Sequence, residues 1–206
     1  MTIDEKLKAF FEGKKVVILG FGREGRSTLK LLGSCNCKSI TVADMNPVPE
    51  SEAEGCALCC GEDYLTCLDD CDVIMKAPGV ILKNIVSDEI KAKITSQTDL
   101  FLRFCDNMII GITGTKGKST TSSLIKFFIE KSGKDTMLIG NIGVPPLERR
   151  EEFTKDCVIV CEMSCHQLEY VKASPDVAVL LNIYPEHLDH YTDFAAYRNA
   201  KLNIFR

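Results

Sequence analysis

The chain has 206 residues, 45% of them hydrophobic, and a formal charge of −4. That is enough apolar material for a real core in one large domain or two small ones. A pI near 5.5 argues against a polyanion-binding surface and so against a nucleic-acid partner, while leaving room for local phosphate pockets.

The opening MTIDEKLKAFFEGKK reads as a short amphipathic helix and lacks the apolar stretch and cleavage site of a signal peptide. No run approaches the ~18 apolar residues that span a bilayer. A cytoplasmic protein without membrane insertion is expected. KKVVILGFG is then a β-branched strand ending in glycine, followed by REGRSTLKLLG, a helix closed by Gly33. SITVAD is a second buried strand ending in Asp44, and CDVIMKAPGV a third ending in a Pro78-Gly79 turn. The polar segment between those two strands carries no strong element.

NIVSDEIKAKI predicts a further helix, and near Asp106 the pattern restarts, which sets expected domains of 1–106 and 107–206. The second half reads as a strand over 107–112, a helix over 118–132, a strand over 135–139, a GNIGVPP turn, a strand over 156–162, a short helix, a strand over 176–182 and a helix from about Asp193. Strands alternating with helices in both halves predict an α/β fold built on parallel sheets. The first would be Rossmann-like, and the second would begin a P-loop-type domain.

Eleven cysteines in a chain without an export signal are expected to be reduced. Cys56 and Cys59 have metal-knuckle spacing, and Cys60, Cys67 and Cys71 lie close by. No second pair follows at a zinc-ribbon interval and no histidine is near, so these read as small buried apolar residues.

Two glycine-rich loops carry the chemistry. Gly20-Phe21-Gly22-Arg23-Glu24-Gly25 matches G-x-G-x-x-G between a strand and a helix, with Asp44 at the end of the next strand to accept ribose hydroxyls. Alone it fits a nicotinamide or flavin site, another nucleotide, or a structural turn. The second loop is GITGTKGKSTT, in which Gly111 stands one residue too early for the usual G-x-x-x-x-G-K-[ST] spacing. The compact unit is Gly114-Thr115-Lys116-Gly117-Lys118-Ser119-Thr120. Its glycines let backbone N–H groups curl around phosphate, Lys118 neutralises a terminal phosphate, and Ser119 or Thr120 ligates Mg2+. That chemistry serves phosphoryl transfer better than hydride transfer.

Three later stretches add ligand groups at strand ends, where parallel sheets bind. VIVCEMSCHQLE supplies Glu162, Ser164 and Gln167; LLNIYPEHLDHY crowds Glu186, His187, Asp189 and His190; YRNAKLNIF places Lys201 on a helix. Each has a structural alternative: Glu162 as a helix-capping acid, His187 and His190 as solvated turn residues, Lys201 as a surface lysine.

Together these residues resemble the Mur ligase family, ATP-dependent amide-bond synthetases of peptidoglycan assembly, whose ATP loop has the compact G-T-K-G-K-S-T spacing. Within it, GNIG, EMSCHQLE, LNIYPEHLDHY and YRNAKL are most similar to the members that join D-glutamate to UDP-N-acetylmuramoyl-L-alanine through an acyl phosphate. The resemblance runs from about Lys14 to the last residue.

It implies that Gly114 to Thr120 hold ATP, with Lys118 on the β/γ-phosphates and Ser119 with Glu162 on one Mg2+. His187 and a carbamylated Lys201 would serve a second Mg2+. Asn141, Ser164 and Gln167 would face the muramoyl substrate. Gly20, Phe21, Gly22, Arg23, Asp44, Pro78 and Gly79 would hold its UDP group.

Cys165-His166 and Pro185-Glu186 depart from the usual residues of those members. The family continues past Arg206 through the rest of the ATP domain and a third domain, so this chain is expected to be inactive alone. Other readings are a non-catalytic UDP-substrate-binding module, a sibling ligase adding another amino acid, and an NAD-dependent oxidoreductase. The last leaves the Gly-Lys-Ser loop and Lys201 unexplained.

Overall fold

The computed structural model describes residues 1–82, 86–141, 144–187 and 189–206, in two compact units, Met1–Gln97 and Thr98–Arg206. Part of the predicted NIVSDEIKAKI helix, two residues of the GNIG turn, and Leu188 lie outside the described residues.

The first unit opens with α1 (Ile3–Phe11), whose start is fixed by a reciprocal cap: Glu5 N–H donates to the Thr2 hydroxyl at 3.2 Å and Thr2 N–H to the Glu5 carboxylate at 2.7 Å. Five parallel strands follow: β1 (Lys15–Leu19), β2 (Ser39–Asp44), β3 (Ala57–Cys60), β4 (Val73–Lys76) and β5 (Ile94–Thr95), ordered β3-β2-β1-β4-β5. β1 is buried along nearly its whole length because it is central, which is why it reads as a continuous apolar run. α2 (Arg23–Leu32) crosses from β1 to β2, and the order in which strands are added reverses between β1 and β4, the place where such parallel sheets open a crevice.

β3 corrects the sequence reading of an element-free segment. It is a four-residue edge strand with mostly exposed side chains, so it carries little apolar signal and exists through its pairing with β2 from Thr41↔Ala57 to Asp44↔Cys60. Helix α3 (Asp88–Lys93) precedes β5, and α4 (Gln97–Phe104) begins at the last residue of this unit and runs into the second, where it buries Leu100 and Phe101.

The second unit has four parallel strands, β6 (Ile109–Thr113), β7 (Thr136–Gly140), β8 (Val158–Glu162) and β9 (Val177–Leu180), ordered β7-β8-β6-β9. Its helices are α5 (Lys118–Lys131), α6 (Cys165–Leu168) and α7 (Phe194–Leu202), the last capped by Asp193. Gly111, the early glycine, sits within β6, where a Cβ would meet Met163 at 2.3 Å and Pro175 at 2.7 Å. Packing explains it. All eleven cysteines are free thiols; Cys71 is buried, but Cys60 is exposed and Cys56, Cys59 and Cys67 are half-buried, so the apolar-core reading of that cluster holds only for Cys71.

Candidate functional site

In the second unit, β6 delivers the loop 114–117 to the N-terminus of α5. Gly117 caps that helix at φ +87, a left-handed conformation that favours glycine, and no side chain caps the first turn. Open N–H groups at the positive end of a helix dipole are an arrangement that can receive an anion. The loop is braced from β9's end: Thr115 N–H donates to the Asn182 carbonyl at 3.0 Å, Lys116 N–H to Asn182 Oδ1 at 3.0 Å, and Asn182 Nδ2 to the Lys116 carbonyl at 3.0 Å. The Thr115 hydroxyl accepts from Tyr184 N–H at 2.9 Å and shares a 2.8 Å hydrogen bond with the Tyr197 hydroxyl of α7. The Lys116 side chain pairs with Glu186 at 2.6 Å, and this bond holds the Glu186 carboxyl below its usual range.

Two ammonium groups converge behind the loop. Lys118 Nζ donates to the carbonyls of Gly114 and Thr115 at 3.0 and 3.2 Å, and Lys201 Nζ donates to the same Gly114 carbonyl at 2.8 Å. Lys201 is 2% exposed, not a surface lysine. Burial lowers its pKa, and Lys118 adds to the lowering against the opposing pull of Cys165 and Glu186.

Glu162, at the end of β8 opposite Ile112 of β6, is also 2% exposed. Its Oε1 accepts from Asn141 Nδ2 at 3.1 Å, while its Oε2 has no hydrogen-bond partner among the described residues. A buried carboxylate oxygen left that way is costly unless another group serves it.

His187 is exposed, at φ +56, with Nε2 3.7 Å from Glu186. His190 is buried instead, with Nε2 3.4 Å from the Glu169 carboxylate, so the two histidines of the HLDH stretch have different surroundings. Ser164 and Gln167 cap α6 reciprocally, at 3.2 and 3.0 Å.

In the first unit, a cavity of about 490 Å3 opens at the ends of β1, β2 and β4. Gly20, Gly22, Arg23, Asp44, Pro78 and Gly79 all line it. Asp44 Oδ2 accepts from Phe21 N–H at 2.6 Å and Oδ1 from Asn46 N–H at 2.8 Å, which ties the first loop to the second strand. A Cβ on Gly25 would meet the Gly20 carbonyl at 2.2 Å, so helix and loop approach too closely for any side chain there; at Gly22 no atom of the described residues lies within 4 Å. The third glycine serves packing and the second leaves space.

A family model described as the Mur ligase middle domain matches residues 112–206. The chain is also 36% identical, over 98% of its length, to a protein of Clostridium botulinum (strain Loch Maree / Type A3) named UDP-N-acetylmuramoylalanine--D-glutamate ligase. The chain belongs to the Mur ligase family. A protein of the same name from Clostridium kluyveri is 33% identical over 98% of the chain. The match covers 46% of each relative, so the chain spans about half the length of the curated relatives it matches. Among solved structures, a UDP-N-acetylmuramate:L-alanyl-gamma-D-glutamyl-meso-diaminopimelate ligase from Neisseria meningitides aligns over 93% of this chain and 67% of its own, at 18% identity and a TM-score of 0.47.

Within this Mur ligase chain, Gly114, Thr115, Lys118 and Lys201 meet directly, and Glu162 is held by Asn141. Ser119 and Thr120 are exposed on the first turn of α5. Phe21 stands apart from its neighbours: its ring is buried, with the Arg26 guanidinium 5.0 Å from the ring centroid, and only its main chain joins the Asp44 bond. Sequence reasoning missed Asn182 and Tyr197, which brace the 114–117 loop, and Glu24, Asn46 and Tyr64, which line the cavity. Asn182 was within reach, since it follows β9 at the carboxyl end of the sheet.

Proposed function

We propose that this chain is part of an ATP-dependent ligase that joins D-glutamate to UDP-N-acetylmuramoyl-L-alanine through an acyl phosphate, a cytoplasmic step of peptidoglycan synthesis. The observation that carries it is the meeting of Lys118 and Lys201 on the Gly114 carbonyl at the end of β6, with buried Glu162 ending the adjacent strand β8. A nicotinamide enzyme has no use for that arrangement.

The residues fit Mg2+. Glu162 Oε2 is buried without a hydrogen bond among the described residues, an oxygen donor of the type hard divalent cations take. Ser119 would complete that site, and His187 with Lys201 would hold a second ion. Such ions, when bound, supply positive charge that offsets the repulsion between a carboxylate and a triphosphate.

The chain's own groups would act as follows. The first-turn N–H groups of α5 receive phosphate oxygens, and Lys118 leaves its carbonyl partners for the terminal phosphate. Asn141 fixes the rotamer of Glu162. Lys201, with its pKa lowered by burial, keeps a larger neutral fraction than an ordinary lysine. A neutral amine adds to CO2 with formation of an N–C bond and loss of one proton, which turns a cation into an oxygen donor. Asn141, Ser164 and Gln167 would face the muramoyl part, and the cavity of the first unit its UDP group.

Calorimetric titration with UDP-N-acetylmuramoyl-L-alanine, NADH, and ATP with Mg2+ tests the reading. Binding of the UDP compound and of ATP, without NADH, is expected. Binding of NADH in place of the UDP compound would make the first loop a dinucleotide site and overturn it.

A further inference from the structure

Glu24 lines the cavity of the first unit from the first turn of α2, and the reading above leaves it without a role. A diphosphate seated on that helix N-terminus would meet a carboxylate of like charge. The other cavity acid, Asp44, has its two oxygens engaged by Phe21 and Asn46 N–H groups. Glu24 stands differently. From β4 it faces the ammonium of Lys76, itself 4% exposed, and from α4 the Gln97 backbone; Arg23 on its own helix and Asp44 at the end of β2 share the lining. Lys76 and the Gln97 backbone favour the carboxylate, yet burial outweighs both and pushes the Glu24 carboxyl up to about 7.

We propose that Glu24 enters the ligand complex as a neutral acid, donating a hydrogen bond from its carboxyl proton to an oxygen of the diphosphate ester. This rests on the reading of the cavity as the UDP-substrate site. The incoming negative charge penalises a neighbouring carboxylate further, whereas a protonated carboxyl offers a charge-assisted donor. One proton is taken up from solution and ends on Glu24, and the Lys76 charge is left to be balanced by the ester.

The test is calorimetric titration of the full chain with UDP-N-acetylmuramoyl-L-alanine, in buffers of different ionisation enthalpy, from about pH 6 to about pH 8.5. Both phosphates of this probe are esterified, so the diphosphate itself does not titrate in that range. Net proton uptake is expected, approaching one per ligand at the upper end, with affinity falling about tenfold per pH unit above about 7. Glu24→Gln, a neutral donor of the same shape, is expected to keep the wild-type low-pH affinity throughout with no uptake. Wild-type binding with no uptake and a flat pH profile would overturn the proposal and leave the nucleotide reading intact. Loss of binding at every pH in Glu24→Gln would make Glu24 a charged acceptor and also overturn it. Failure of the wild-type chain to bind the ester even at about pH 6 would sink the nucleotide reading, and this inference with it.

Discussion

Lys118 and Lys201, 83 positions apart in sequence, donate to one oxygen atom, the carbonyl of Gly114. Two cations brought together behind a loop repel each other, and part of that repulsion appears as the lowered pKa of Lys201. Conversion of one to an anion turns the repulsion into attraction. In 13C-bicarbonate at about pH 8, wild-type protein is expected to show a carbamate carbon resonance that is absent from Lys201→Arg. An identical spectrum in the variant would remove the case for a modified Lys201.

Glu162→Gln is expected to fold, because the amide can keep its oxygen toward Asn141. The variant loses the anionic donor. Thermal melts should show Mg2+ with ATP raising the wild-type midpoint and raising that of the variant much less. Equal shifts in both would mean that Glu162 holds no ion.

The glycines of the first loop should separate by role. Gly25→Ala forces a Cβ onto the Gly20 carbonyl and is expected to destabilise the chain by roughly 2–4 kcal/mol in urea titrations. Gly22→Ala meets none of the described residues within 4 Å and has an ordinary φ of −74. Its stability should stay within ~0.5–1 kcal/mol of wild type, while affinity for the UDP compound falls. A Gly22→Ala chain that unfolds as readily as Gly25→Ala would show that the open space at Gly22 is misread.

Tyr197→Phe removes the 2.8 Å bond to Thr115 from a buried position. A loss of about 1–2 kcal/mol in chemical denaturation is expected, together with weaker ATP binding from a less firmly braced loop. No change in either would make the contact incidental.

Glu24 also links stability to pH without any ligand. Its folded pKa lies above the unfolded value, so its contribution is fully present below about 4.5 and is lost as pH rises to about 7. Relative to Glu24→Gln, the wild-type unfolding free energy should fall by roughly 3–3.5 kcal/mol across that window and then level off. A difference that stays constant with pH would mean an ordinary carboxyl.

Much of this was legible in the residues themselves. β1, β6 and β8 are central strands buried on both faces, so they had to be apolar runs, and the glycine loops that follow β1 and β6 show where those strands hand over to helices. The caps at Thr2 and Asp193 are local signals of the same kind. β3 was hidden because an exposed edge strand needs no apolar pattern and exists only through its neighbour.

Side-chain chemistry divided along the same line. Residue type, order and spacing determined that a lysine, a carboxylate and a glycine-rich loop stand at strand ends, because those depend on short stretches of chain. Only the tertiary structure decided that Lys201 is buried against Gly114, that one Glu162 oxygen has no hydrogen-bond partner among the described residues, and that burial pushes the Glu24 carboxyl up to about 7. Desolvation and charge proximity are properties of what the fold packs around a group, and distant segments of the chain supply them.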